Sequence, residues 1–589
     1  MKHLISSLLL LTLFTGCATY DIKSTQIDPK AELPVGQGIV GVQVINNTDR
    51  LGTLHDGWTA IMAIRLDNMD ELKAVAIAAA KAKGKPTDED KLDWDPDIYE
   101  LKPRSPGAID SQIFIGAMPK GDYMITQLFS YYSDGNVSSW IRMPVGASAG
   151  KFSVQAERLT NLGTLVFQPL LSIKEASFWS SSSSKKAYVT TVTDFHNLGT
   201  YIDDQFPDVL KKVDKSVILG WNPDDYSQLR NQLSQLSRDN AYGNKAILLS
   251  GTEHIGAIAS RFGQLRLLSD SGQWQQVNLP TNGQVSAVLE LEGQLLVGSE
   301  YGQVFLGNNF DSSWKAIHPI STSEAIAWFG SDGETHYAVA NNEMDYNVYQ
   351  FDNPESPWNK IGTFVKKPAN DFFVQNGGLF PIITAKNTLR IFNDNMVHDY
   401  LKATNSWQNS DGTALVKLAQ TRSGALVALE VSQWDGIGDQ VVSFDNGNEW
   451  LTVSRSLKMF GDDKTDASLS SILDDGTVIT LGRKKKTKKS KSELKVISNG
   501  KDKLNNSKSW LAHGNAKDMC HTVLPELTYK NTLYFLCDQG DVVSTSDLGA
   551  SWQQEVSIDI KQMEQTFDQL IEALEKEDDN ERASKSASD

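Results

Sequence analysis

The chain has 589 residues, too many for one hydrophobic core, so two or three domains are expected. Apolar residues make up 40% and charged residues 22%, ordinary proportions for a globular protein. The 73 acidic side chains outnumber 56 basic ones. A net charge of −17 repels phosphate backbones, which speaks against general nucleic-acid binding and against broad adhesion to anionic lipid.

Residues 1–17 read as an export signal. Lys2 and His3 give a short polar, basic start, and Leu4 to Phe14 form an apolar run of about ten residues, the length of a signal-peptide core. That is well short of the roughly 20 residues a spanning helix needs. The run ends at Phe14-Thr15-Gly16-Cys17. This resembles the lipobox of bacterial lipoproteins, with Phe14 where an aliphatic residue is usual. The resemblance implies lipidation at Cys17. With Ala18 instead of Asp after the Cys, it also implies an anchor in the outer membrane, facing either the periplasm or the surface. Several acyl chains on one residue would hold the protein stably, where one chain is marginal. The alternative is an ordinary cleaved signal with an incidental Cys.

Residues 18–36, with Pro29, Pro34 and Gly36, read as a polar tether, and 37–170 as a β-rich domain. Gly38 to Ile45 and Thr59 to Leu66 are rich in β-branched residues or alternate as strands do. Met69 to Lys83 interrupts them with an alanine-rich helix former, and acidic Asp88 to Asp97 reads as loop. Strands resume at Ser111 to Ala117, Asp122 to Tyr131, Trp140 to Pro144, Gly150 to Gln155 and Leu162 to Gln168. Ala117-Met-Pro-Lys-Gly-Asp-Tyr123, with the strands at Phe152 and Leu162, resembles small immunoglobulin- or transthyretin-like folds. That implies a β-sandwich. Gly121 suits a turn position with positive φ, and Tyr123 starts the next strand pointing inward. Two glycine patterns, Gly36 to Gly41 and Gly146 to Gly150, match nucleotide-binding and hydrolase motifs by letter only, because neither joins a strand to a helix.

Residues 171–243 read as a linker with helices. Ser180 to Ser184 marks an exposed link. Ile202, Phe206, Val209, Leu210 and Val213 fall on one helical face. Asn222 as cap and Pro223 as first residue announce a second helix, with Leu229, Leu233 and Leu236 as its apolar stripe. The stretch is expected to pack between two β domains; a coiled-coil partner site is the sharper alternative.

From 244 to 557 the chain repeats. Ser269-Asp270-Ser-Gly272-Gln-Trp274 opens the series, followed by segments with Asp311 and Trp314, and with Asp352 and Trp358. Ser443-Phe-Asp445-Asn-Gly447-Asn-Glu-Trp450, a copy ending at Trp510, and Thr545-Ser-Asp547-Leu-Gly549-Ala-Ser-Trp552 complete it. The copies at 443 and 545 resemble in full the Asp-box (BNR) pattern Ser/Thr-x-Asp-x-Gly-x-x-Trp of sialidases, sortilin-type receptors, xyloglucanases and the photosystem II assembly propeller. Successive tryptophans stand 40, 44, 92, 60 and 42 residues apart. The 92 is two periods, with the middle copy degenerating to Leu389 to Asn395. Forty to fifty residues suit one four-stranded blade. The expected fold is therefore mainly β: an N-terminal sandwich, a helical linker and a C-terminal seven-bladed β-propeller. In the box, the Asp carboxylate is expected to take backbone N–H bonds, the Gly to make the turn, and the Trp to pack between blades. These residues read as structural.

The chemistry-bearing residues are sparse. Resemblance to sialidases implies an arginine triad and a Tyr/Glu pair; the six arginines 261, 266, 390, 422, 455 and 483 come without the accompanying motif. The nine His show no metal-ligand spacing, so no metal or cofactor is implied. Cys520 and Cys537 fall in one expected hairpin and are disulfide candidates in an oxidising compartment, with two buried thiols as the alternative. Arg483, Lys484, Lys485, Lys486, Lys488 and Lys489 form a basic insert that could grip a polyanion, or simply be a solvated loop. The tail, 558–589, carries a helix with Ile560, Met563, Phe567, Leu570, Ile571 and Leu574 on one stripe, expected to dock on its own chain. The reading that results is a lipid-anchored envelope module binding protein or glycan, with an Asp-box glycoside hydrolase as the rival.

Overall fold

The computed structural model describes residues 21–586 apart from 49–50, 52–54, 56, 89–90, 105–106, 134, 136, 172–184, 193–196, 250–252, 292, 308–312, 367–377, 432–437, 455–467, 485–492, 505 and 507. Two compact units emerge. One comprises 1–105, 110–240 and 559–589; the other comprises 106–109 and 241–558.

The first unit holds two sheets around one core. One sheet runs in the order Ile22–Ser24, Ile98–Leu101, Ala60–Arg65, Gly121–Ser133, Ser138–Pro144, with Lys151–Val154 also paired to Gly121–Ser133. The other runs Lys185–Val192, Arg158–Leu171, Gln37–Asn46, Ser111–Pro119, with Asp214–Leu219 paired to Arg158–Leu171. Val40, Val42, Val44 and Phe114 of one sheet meet Ile61, Tyr99, Tyr123 and Leu128 of the other in a single buried cluster. Gln37–Asn46 is buried on both faces, which explains its unbroken apolar run. Its outer face carries Gly41, where a Cβ would stand 3.1 Å from Ile202 of helix α2 (Asn197–Gln205). The glycine is what lets the helix lie so close.

Several expectations are corrected here. The tether is part of the fold from Ile22 on: Ile22–Ser24 pairs in parallel with Ile98–Leu101, and Thr25, Ile27 and Leu33 are buried. Residues 171–243, expected as a linker, supply Lys185–Val192 and Asp214–Leu219 to a sheet, both paired with Arg158–Leu171. Gly121 does not adopt positive φ; a Cβ there would come 2.7 Å from the Arg65 Nε and 2.8 Å from the Asp67 carboxylate. Tyr123 does point inward, fully buried, with its hydroxyl donating to the Pro119 carbonyl at 2.8 Å.

The helix Met69–Ala82, α1, lies where its alanines put it. Helix α3 is Ser227–Asp239, starting later than Asn222 and Pro223 suggest. Asp224 accepts from the Tyr226 N–H at 3.0 Å and so nucleates the turn before it. The buried face of α3 is Arg230, Leu233, Ser234 and Ser237; of the leucine stripe Leu233 is fully buried, and Leu229 and Leu236 are half-buried. Its small hydroxyls match those of the adjoining strand: Tyr188 and Ser237 hydrogen-bond at 2.8 Å, and Thr190 and Ser234 at 3.2 Å. The C-terminal helix α4 (Ile560–Ser586) completes this unit. Met563 and Leu570 are fully buried, Phe567 stacks on Tyr188 at 5.3 Å, and Lys186 bridges Glu564 and Asp568.

The second unit contains seven four-stranded antiparallel sheets, each a meander in chain order, spanning 243–278, 287–317, 325–365, 379–411, 415–454, 471–515 and 522–556. Each neighbouring pair shares a buried apolar cluster. The last sheet shares one with the first, where Ile258 and Leu268 meet Leu524, Tyr534 and Val542. The sheets therefore form a closed circuit, the last packed on the first. The fourth sheet is regular: Leu389–Asn393 is its second strand, and its tryptophan is Trp407, which the reading by spacing overlooked.

Candidate functional site

In an antiparallel meander, connections after the first and third strands lie on one rim, and those after the second and fourth on the other. The repeated boxes occupy the third connection, so they all share the first rim. At Asp445 the carboxylate accepts from the Ser443 hydroxyl at 2.7 Å and from the backbone N–H groups of Asn448 and Glu449 at 3.1 and 3.0 Å. Burial pushes this carboxyl up, but the three donors together hold it below the ordinary range. Asp547 repeats the scheme with the Ser551 N–H and hydroxyl and the Thr545 hydroxyl, and it too is held low, first by Ser551. Gly447 and Gly549 sit at φ +85° and +87°, where an L side chain is strained.

The weaker copies close their turns differently. At the first, Ser269 takes the stapling role, its hydroxyl accepting from the Gln273 N–H at 3.0 Å, while Gly272 still has φ +80°. Asp270 is one position out of register because that copy is a residue short. At the third, Asn353 accepts from the Glu355 N–H at 2.9 Å in place of Asp352. Asp311 lies outside the described residues.

The tryptophans carry the packing. Trp274, Trp314, Trp358, Trp407, Trp450, Trp510 and Trp552 each join the cluster shared with the preceding sheet, and for Trp274 that sheet is the last one. The indole N–H of Trp407 donates to the Ile361 carbonyl at 2.8 Å, and that of Trp552 to the Asn515 carbonyl at 3.1 Å. Both acceptors lie on or at the end of the outermost strand of the sheet before. The box at 445 also grips its predecessor: Arg390 clamps Asp399 at 2.7 and 2.8 Å and donates to the Asn446 carbonyl and Asn448 side chain.

Toward the middle of the circuit, Lys245 on the first inner strand reaches the Ala327 carbonyl on the third at 2.6 Å. Arg422 donates to the carbonyls of Leu249 and Ile255, and stacks over Tyr529 at 5.3 Å. Burial pushes the Glu526 carboxyl up to about 7, with Lys245 and Lys417 as its opposing charges. The first rim is thus crossed by structural contacts. This is a β-propeller.

The second rim of the propeller is built differently. Glu300, fully buried, accepts from the N–H groups of Ile109 and Gln284 at 2.6 and 3.0 Å, and the Tyr301 N–H donates to the Gly107 carbonyl at 2.7 Å. Gly107 is required, since a Cβ would come 2.3 Å from the Thr322 carbonyl. Between described strand ends on this rim the sequence runs 13 residues from Val365 to Leu379, 16 from Ser454 to Ser471 and nine from Glu430 to Gln440, of which 367–377, 455–467 and 432–437 lie outside the described residues. Glu430 and Asp439 flank the last of these, and burial, then the Asp439 charge, pushes Glu430 up. Of the basic insert, Arg483 is exposed at a strand end and Lys484 ends that strand; Lys485, Lys486, Lys488 and Lys489 lie outside the described residues. Cys520 and Cys537 are joined by a disulfide across the last sheet, also on this rim. Cys17 lies outside the described residues. Among those described, no group of three or more His, Cys, Asp or Glu is placed to hold a metal ion, and no helix is long and apolar enough to cross a membrane.

No protein-family model matches the chain, and no curated protein does. Among solved structures, it is similar to YCF48 bound to D1 peptide, with 12% identity over 52% of this chain and 97% of that one, at a TM-score of 0.32. YCF48 from Cyanidioschyzon merolae is 10% identical over 49% of this chain and 90% of that one, at 0.35. The Myceliophteria thermophila Cps50 (Swd1) β-propeller domain is 10% identical over 54% and 97%, at 0.34.

Proposed function

We propose that this chain is a cell-envelope lipoprotein whose seven-bladed propeller binds a protein partner on its second rim, with an immunoglobulin-like sandwich as its other domain. The observation that carries this reading is the asymmetry of the two rims. The first repeats a wedged indole in each sheet and a side-chain-stapled turn in the first, third, fifth and seventh. The second breaks the plan with connections of 13 and 16 residues between otherwise uniform strands. Long connections on a rigid scaffold are where recognition residues concentrate. Glu300 supports the reading, because its buried carboxylate already holds the backbone N–H of Ile109, in a turn of this chain's own residues 107–109.

The anchoring half of the proposal rests on Phe14-Thr15-Gly16-Cys17. Cys17→Ser should move the protein from the outer-membrane fraction to the soluble fraction. The recognition half is tested with a photo-crosslinking amino acid placed in the full-length protein. One set of positions, Asn342 and Ala414, lies on the second rim; another, Lys386 and Ser423, lies on the first. Discrete protein adducts from the second rim alone support the reading. Adducts from the first rim alone contradict it.

A further inference from the structure

Strands Gly121–Ser133 and Ser138–Pro144 of the first unit form a hairpin whose inner face is packed and whose outer face is solvent-facing. The usual alternation puts polar residues outward on such a hairpin. Here the outer face carries Phe129, Tyr131 and Trp140. Tyr131 and Trp140 stand directly opposite each other, 49% and 61% exposed. The next pair along, Phe129 and Arg142, places a guanidinium 5.8 Å from the Phe129 ring. On the other side, Ser133 and Ser138 hydrogen-bond at 3.1 Å, and the Tyr131 hydroxyl meets Ser138 at 3.4 Å. Thr59, also exposed, binds the Tyr131 N–H.

We infer that this face is a binding platform for an acidic glycan, one whose sugars carry a carboxylate. Three properties lead there. A flat, exposed Tyr–Trp pair matches the apolar C–H face of a pyranose ring, and rigid aromatics lose little entropy on contact. The hydroxyls of Tyr131, Ser133, Ser138 and Thr59 border that pair and can exchange hydrogen bonds with sugar hydroxyls. Arg142 supplies the charge: no carboxylate pairs with it among the described residues, although the whole chain carries −17. A guanidinium fork is matched to a carboxylate. The seven outward residues named here include no acid; Asp134, which follows Ser133 in the sequence, lies outside the described residues.

The test uses the full-length protein in detergent, with oligogalacturonate as the acidic probe and maltooligosaccharide as the neutral one, measured by calorimetry. Oligogalacturonate is expected to bind, and Trp140→Ala to weaken it by at least ~10-fold. Arg142→Gln should reduce the acidic probe to the level of the neutral one. Because these side chains are exposed, the thermal midpoint should stay within about 2 °C in both variants, so lost binding is not lost fold. Absence of oligogalacturonate binding overturns the proposal, as does binding that survives Trp140→Ala. Adsorption to phosphatidylcholine vesicles that depends on Trp140, without glycan binding, would identify a membrane-contacting patch instead.

Discussion

The indole N–H of Trp274 donates to the carboxylate of Glu555 at 3.0 Å, joining the outermost strand of the first sheet to that of the last. The two residues are 281 positions apart in sequence. Trp274 also packs edge-on against Tyr534, so the seam combines a charge-assisted hydrogen bond with an aromatic contact. A double-mutant cycle with Trp274→Phe and Glu555→Gln should show a coupling of about 0.5–3 kcal/mol in chemical denaturation. Strict additivity would mean that the seam is not made.

Trp407 should behave as the equal of Trp450. It stands 49 residues after Trp358 and 43 before Trp450, and its N–H reaches back to Ile361 as that of Trp552 reaches Asn515. Gly362 faces the ring so closely that a Cβ there would lie 3.0 Å from the indole nitrogen. Trp407→Ala is expected to cost about 3–5 kcal/mol, the range for emptying a large aromatic site. A loss near 0.5 kcal/mol, typical of a surface position, would remove Trp407 from the series.

Asp445 predicts a pH dependence of definite sign. Its donors hold the folded carboxyl below its unfolded value, so the stabilisation is fully present above the unfolded value and fades as pH falls through the folded one. Asp445→Asn should therefore destabilise at pH 7, by about 1–2 kcal/mol. The gap between variant and parent should narrow as the solution is taken below the ordinary carboxylate range. Thermal denaturation of both proteins across pH measures this, and a gap that widens in acid would contradict the stapling role.

The disulfide between Cys520 and Cys537 closes a 17-residue separation within the last sheet. Changing both residues to Ala should lower stability by about 3 kcal/mol, the scale for a loop of that length. The loss should be seen in oxidised protein and vanish when both proteins are compared in reductant.

Much of the propeller was legible because the box repeats bring physics with them. A Gly that must take positive φ and a Trp that must pack on the preceding sheet leave a fixed spacing, as Gly447, Trp450, Gly549 and Trp552 show. Trp407 escaped because its turn closes without an Asp or Gly: Asn405 takes the left-handed conformation at φ +46° instead. The signal available was the interval itself, since 92 residues divide naturally near Ser406-Trp407. In the first unit, the edges failed. Ile22–Ser24 is only three residues long and Asp214–Leu219 is almost wholly exposed, without an alternating pattern, and the pairing of both comes from partners distant in sequence. The outward aromatics Tyr131 and Trp140 look in sequence like ordinary strand residues. Only the register shows that they are paired on the wet face. The rim asymmetry likewise needs the strand order before it can be seen.

Closure of the sheet circuit is tested most directly by pulsed electron resonance between nitroxide labels at Gln276 and Gln554, in Cys17→Ser protein with the native disulfide intact. These exposed positions lie on the outermost strands of the first and last sheets, beside the Trp274–Glu555 bond. A single short, narrow distance distribution is expected. A long and broad one, as two unconnected ends would give, would contradict the closed propeller and the rim assignment built on it.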